Sequence, residues 1–168
     1  IGKLPFPTRL LDALNNALPT RSHELRAQPL CKLCELNDER WRVAAEVAFT
    51  QKFAVIVAAE DYATAERIYH EMKEDSPRES LISPQAALGM EQAPVQGSLA
   101  SRLDTAHPVA RAVISHLFGR MVCVERREEL SVHAFAVTRD GFVKRGPFLE
   151  RPQQYDNLPY VGLRGLAQ

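Results

Sequence analysis

Apolar positions along the chain fall into short blocks whose spacing switches between helical and extended. In "PTRLLDALNNAL", Leu10, Leu11, Leu14 and Leu18 recur at helical spacing behind Pro7, which predicts a helix from about Thr8 to Leu18 that stops before Pro19. "LCKLCEL", Leu30 to Leu36, reads as a short strand. "DERWRVAAEVAFTQ" sets Trp41, Ala44, Ala45, Ala48 and Phe49 on one face behind Asp38 as N-cap, the pattern of a buried helix. "FAVIVAA" is nearly all apolar and β-branched, so it predicts a strand covered on both faces. "EDYATAERIYHEMKE" follows with Tyr62, Ala65, Ile68, Tyr69 and Met72 on one stripe of a second helix. The next stretch, "SPRESLISPQAALGMEQAPVQGS", is linker-like, with a strand expected at Ser80 to Ser83.

The same order of elements then returns. "HPVARAVISHLFG" predicts a helix with Pro108 in its first turn and Gly119 at its end, "MVCVE" an apolar strand, and "REELSVHAF" another helix. A gapless shift of 68 positions lays Trp41 on Val109, Ala44 on Ala112, Phe49 on Leu117 and "FAVIV" on "MVCVE". The second half ends in "FAVTRDGFVKRGPF", where Asp140-Gly141 between two β-rich runs predicts a hairpin with a two-residue turn.

Composition adds bounds. A chain of 168 residues, 45% hydrophobic and 25% charged, suits one well-buried core or two subdomains that share one. No apolar run approaches the ~20 residues of a membrane helix, and the first residues lack the pattern of a signal peptide. Three cysteines, an odd number, fit a reducing cytoplasm better than a disulfide framework. Net charge is zero, yet residues 1–96 carry 11 Lys and Arg against 14 Asp and Glu, and residues 97–168 carry 10 against 7, so the second half is the basic one.

Candidate chemistry is sparse. Cys31 and Cys34 have C-x-x-C spacing, open to three readings: half of a zinc site, a redox dithiol, or two small buried residues. On a strand, residues three apart point to opposite faces, which separates the thiols and favours the structural reading. His23, His70, His107, His116 and His133 show no ligand spacing. Glu125, Glu128 and Glu129 alternate with Arg126 and Arg127 as a solvated helix start, and the serines of "GSLASR" lack a nucleophile elbow. No phosphate-binding G-x-x-x-x-G-K-[ST] loop is present, so neither nucleotide binding nor another cofactor is expected and the chain reads as a non-enzyme. A small independent α/β enzyme and a zinc hook at a coiled-coil apex stand as the alternative functions.

Two helix-strand-helix units, carried by "ERWRVAAEVAFTQKFAVIVAAEDYATA" and "HPVARAVISHLFGRMVCVERREEL", the second closed by "AVTRDGFVKRG", resemble the hinge domain of SMC ATPases. "LPFP", "LCEL" and "YDNLPYVG" are similar to the MukB-like bacterial group, in particular JetC of Wadjet anti-plasmid systems and its MksB relatives. The resemblance implies an α/β (α+β) fold of two pseudo-repeated subdomains with small mixed sheets. It divides the chain into a coiled-coil stub at 1–20, subdomain I at 21–83, a linker at 84–97, subdomain II at 98–152 and an exit segment at 153–168. It implies a homodimer, formed by a bacterial, cytoplasmic and nucleoid-associated parent that organises DNA or acts in plasmid defence. The expected dimer contact is a strand at Phe142 to Phe148, through Phe142, Val143, Lys144, Gly146 and Phe148, with the Ser80 to Ser83 strand as the second edge. Pro147 interrupts that strand, so pairing there must end or lie at an edge. Weak, phosphate-directed DNA contact is expected from Arg120, Arg126, Arg127, Arg139, Lys144 and Arg145.

Overall fold

The computed structural model describes residues 6–19, 26–73, 78–152 and 159–162. Helix α1, Arg9–Ala17, buries Leu10 and Leu14 and is followed by buried Leu18, as the spacing predicts. Its N-cap residue Thr8 makes no side-chain cap. The orphan amides are met instead from far along the chain: buried Glu79 accepts from Leu10 N–H at 3.0 Å and Leu11 N–H at 3.1 Å, a carboxylate at the positive end of the helix. Strand β1, Ala27–Pro29, pairs antiparallel with β3, Val55–Val57, and Leu81 forms a parallel bridge to Val55 on the other side. All three β3 residues are buried, which is the covered strand that "FAVIV" predicts. Between them lie β2, Glu35–Leu36, and α2, Arg42–Ala48, entered through a 3-10 turn capped by Asp38. Helix α3, Tyr62–Glu71, and helix α4, Pro84–Gly89, follow β3, the latter inside the predicted linker.

The second half repeats this plan. Strand β4, Leu103–Asp104, precedes α5, Pro108–Phe118, and then β5, Val122–Val124. Ser98 bridges β5 antiparallel on one side, and β6, Phe135–Thr138, pairs parallel on the other. Strands β7, Val143–Arg145, and β8, Phe148–Glu150, extend the sheet antiparallel in the order β5-β6-β7-β8. In both halves a central strand thus has an earlier antiparallel neighbour and a later parallel one.

The repeat reaches further upstream than the sequence pattern suggests. The 3-10 turn Leu30–Leu33 has its counterpart in Leu99–Arg102, and β2 has its counterpart in β4, 68 positions on. These two strands pair with each other, Glu35 opposite Asp104 and Leu36 opposite Leu103. Glu35 corresponds to Leu103 and Leu36 to Asp104, so each residue faces the counterpart of its neighbour in the strand, the register of a local two-fold axis. The rings of Phe49 and Phe118, 5.2 Å apart and edge to face, meet between the halves, and Leu30 and Leu99 share the same buried cluster. One core therefore spans both halves, with Trp41, Ile56, Leu103, Ile114 and Val137 among its members.

Four expectations need correction. "LCKLCEL" is not one strand: Leu30–Leu33 winds into a 3-10 turn between β1 and β2. "REELSVHAF" is not an α-helix but a 3-10 stretch, Arg127–Val132, running into β6. Residues 125–134 must cross from β5 to its parallel neighbour, whereas 58–80 are available between β3 and Leu81, so only the first half has room for a full helix. Ser131 Oγ also donates to Glu128 O, a local bond that competes with helical pairing. The Asp140-Gly141 hairpin exists, but Thr138 N–H donates to Phe142 O and Gly141 N–H to Thr138 O, closing a three-residue loop in which Gly141 has φ 95°. Finally, Phe142 to Phe148 is not a single strand. Gly146 and Pro147 form a two-residue turn between β7 and β8, with Arg145 opposite Phe148. Gly146 has φ 58°, and since proline cannot follow it with positive φ, the turn is of the II′ kind. Among the described residues no helix is long and apolar enough to cross a membrane.

Candidate dimer interface and entry–exit junction

Each half-sheet has one edge closed within the chain. The outer edge of β1 is plugged by Asn15 of α1, whose amide accepts from Ala27 N–H at 2.8 Å and donates to Ala27 O at 3.2 Å, and Pro29 offers no N–H. The outer side of β5 is covered by Ser98 and Gly97, the latter accepting from Cys123 N–H. The opposite edges differ. Val55 takes Ser80 O and Ile82 N–H, so the N–H and C=O of Leu81 point outwards. In the β7–β8 hairpin Arg145 and Phe148 are the closing pair, which leaves Lys144 and Leu149 as the non-bonded pair and turns the N–H and C=O of Leu149 outwards as well. Strand β8 also carries apolar side chains without cover, Phe148 at 67% and Leu149 at 65% exposure.

The residues expected at the interface are scattered by this hairpin. Phe148 is on the open edge. Val143 points into the core, Phe142 is half-buried beneath Arg127 (4.1 Å from its ring centroid), and Lys144 donates to His133 O. Gly146 is at the hairpin turn, with nothing within 4 Å of where a Cβ would be. The six basic residues expected on DNA are likewise engaged. Arg126 pairs with Glu129 (3.4 Å), Arg127 with Asp140 (2.7 Å), Arg139 with Glu125 (2.9 Å) and Arg145 with Glu150 (3.5 Å), while Arg120 stacks on Phe135. The hydroxyl of Thr138 and then Arg127 hold the Asp140 carboxyl below its ordinary range. Much of the surplus positive charge of this half is therefore balanced where it sits.

A second constellation, absent from the sequence reading, joins the first and last described segments. Phe6, Phe53 and Tyr160 form an aromatic cluster with centroids 5.0 to 5.9 Å apart. Lys32 lies over Phe6, Lys52 over Tyr160 and Arg78 over Phe53. Below the cluster, the carboxylate of Glu46, fully buried on α2, takes Arg42 at 3.0 Å, Lys52 at 3.3 Å and the N–H of Val161 at 2.9 Å. Arg42 also donates to Val161 O at 2.7 Å, and Gly162 N–H to Cys31 O at 2.7 Å. The exit segment is thus held by both backbone groups of Val161. A lone Glu within the apolar run "VAAEVA" was the one sequence signal for this clamp. The remainder of "LPFP" and "YDNLPYVG", and most of "VGLRGLAQ", lie outside the described residues.

The cysteines belong to this junction and to the core. In the 3-10 turn, Cys31 packs with Phe53 and Tyr160, while Cys34 packs in the shared core. Burial first, then neighbouring negative charge, pushes both thiols up to about 12. The premise that a strand separates them fails, but they face different clusters. Among the described residues no group of three or more His, Cys, Asp or Glu could hold a metal ion.

No protein-family model matches the chain, and no curated protein matches it. Solved structures do. A structure described as the folded elbow of cohesin superposes with a TM-score of 0.65 at 17% identity, covering 88% of this chain and 23% of that one. The Pyrococcus furiosus Smc hinge domain with an extended coiled coil gives 0.57 at 21% identity, covering 76% of this chain and 48% of that one. An asymmetric dimer of the Geobacillus stearothermophilus SMC hinge domain gives 0.55 at 16% identity, covering 77% and 60%. The chain spans less than half the length of the first two. Its fold is that of SMC hinge domains, mixed helix and small sheets, as the motifs imply.

Proposed function

We propose that the chain is the dimerising hinge of an SMC-type ATPase, of the MukB-like group to which JetC and MksB belong, working in DNA organisation or plasmid defence in the bacterial cytoplasm. The observation that carries the reading is the meeting of Phe6 and Tyr160, 5.9 Å between centroids, which brings the entering and leaving chain to one place, as the apex of an antiparallel coiled coil requires. The open edges at Leu81 and Leu149 supply the contact. In a closed two-fold dimer, Leu81 of one copy pairs with Leu149 of the other, and the contact occurs twice. Strand β8 takes the place of the expected Phe142 to Phe148 strand, with Phe148 common to both. Light scattering after gel filtration is expected to give about twice the 18.8 kDa chain mass. Leu149→Pro, which removes the outward N–H, is expected to give a monomer of unchanged circular dichroism. A wild-type monomer across the micromolar range overturns the dimer.

Contact with DNA belongs to the same reading as a weak, phosphate-directed term from Arg120, Arg126, Arg127, Arg139, Lys144 and Arg145. Fluorescence anisotropy on short duplexes is expected to show binding at low salt that falls steeply at physiological salt. Binding unaffected by charge reversal at Arg126 and Arg127 removes that patch.

A further inference from the structure

We infer that the cavity between the start of α3 and α4 is a socket for the apolar tip of β8 of a second copy of this chain. The inference deepens the hinge reading and rests on it. The cavity holds about 340 Å³ and is lined by Ala59, Tyr62, Ser83, Pro84, Gln85 and Leu88. None of these carries a charge, and Leu88 stands 47% exposed in its wall. On β8, Phe148 and Leu149 are an equally uncharged pair, 67% and 65% exposed among the described residues. A socket and a plug of matching chemistry are thus both empty of partners in one copy.

Their positions relative to the open edges bring them together. The edge at Leu81 runs from Ser80 to Ile82 and stops at Pro84, which has no N–H to continue a ladder. The cavity opens at that stop, since Ser83 and Pro84 are in its lining. Antiparallel pairing of Leu81 with Leu149 sets Phe148 of the second copy opposite Ile82. Leu81 packs in the cluster that includes Tyr62, on one side of the cavity, and Ile82 in the cluster that includes Ala87, next to Leu88 on the other. The two side chains of β8 therefore arrive at the two walls. The two main-chain bonds of the Leu81–Leu149 pair fix the register, and the filled cavity supplies the apolar burial that such a short ladder lacks.

The test uses substitutions at exposed positions. Ala59→Trp fills the cavity from its exposed rim, Leu88→Lys places a charge in its wall, and Phe148→Ala shortens the plug. Sedimentation equilibrium is expected to show the dimer dissociation constant raised roughly 10- to 100-fold for each, with unchanged circular dichroism. Mixing the Ala59→Trp chain with the Phe148→Ala chain is expected to restore a heterodimer tighter than either homodimer, because one of its two contacts joins an intact plug to an intact socket. If Ala59→Trp and Leu88→Lys dimerise as the wild type does while Leu149→Pro is monomeric, the edge contact stands and the socket falls. A wild-type monomer overturns both.

Discussion

Single residues that hold distant segments matter most to this fold, and they are the ones its sequence hides. Glu79 is 69 positions from the helix it caps, so no local pattern marks it. Glu79→Ala leaves the Leu10 and Leu11 amides without a charged acceptor in a buried setting, and urea denaturation is expected to register a loss of about 2 kcal/mol. Trp41, Ala44, Ala45, Ala48 and Phe49, by contrast, were legible because helical spacing alone puts them on the buried face. The cysteines offer a pH test. Their folded pKa values of about 12 lie above an ordinary 9.0, so the stability they contribute is complete below about pH 9 and is lost as pH rises towards about 12. Iodoacetamide at pH 8 is expected to modify Cys123, which is only partly buried, well before Cys31 and Cys34; equal rates at all three would show that the 3-10 turn opens readily.

Among the elements, the strands and helices of the repeat were legible where spacing alone decides, as at β3 and α5. They were misread where chain length or a turn decides, as in Arg127–Val132 and in the hairpin at Gly146-Pro147. Proline in "KRGPF" suggests a broken strand; it is instead half of a turn, and pairing resumes at Phe148. A Cβ at Gly146 meets nothing, so its positive φ alone sets the cost: Gly146→Ala is expected to lower stability by about 1 kcal/mol, and Gly146→Asn by less. The Asn15 plug makes the complementary case. Asn15→Ala exposes the β1 edge at Ala27, and light scattering is expected to show concentration-dependent aggregation beyond the dimer, since a third open edge permits chains of contacts.

At the scale of the whole molecule, the halves are joined by contact more than by covalent connection. The β2–β4 pair, the Phe49–Phe118 contact and the shared core cross between them, while residues 90–97 carry no strand or helix. Residues 1–89 and 90–168, expressed as separate chains, are therefore expected to copurify and to regain the circular dichroism of the intact chain; independent elution would place the cohesion in the connection instead. The junction of Phe6 and Tyr160 acquires another meaning when the chain is considered under tension. A pull on the leaving chain loads its contacts one at a time in chain order: the Gly162 bond to Cys31 first, then the grip of Glu46 and Arg42 on Val161, then Tyr160 in the aromatic cluster. Peeling in sequence needs little force at each step. The junction is the part that yields, and in an optical trap a short, reversible extension should precede any unfolding of the core, at a force that Glu46→Gln lowers.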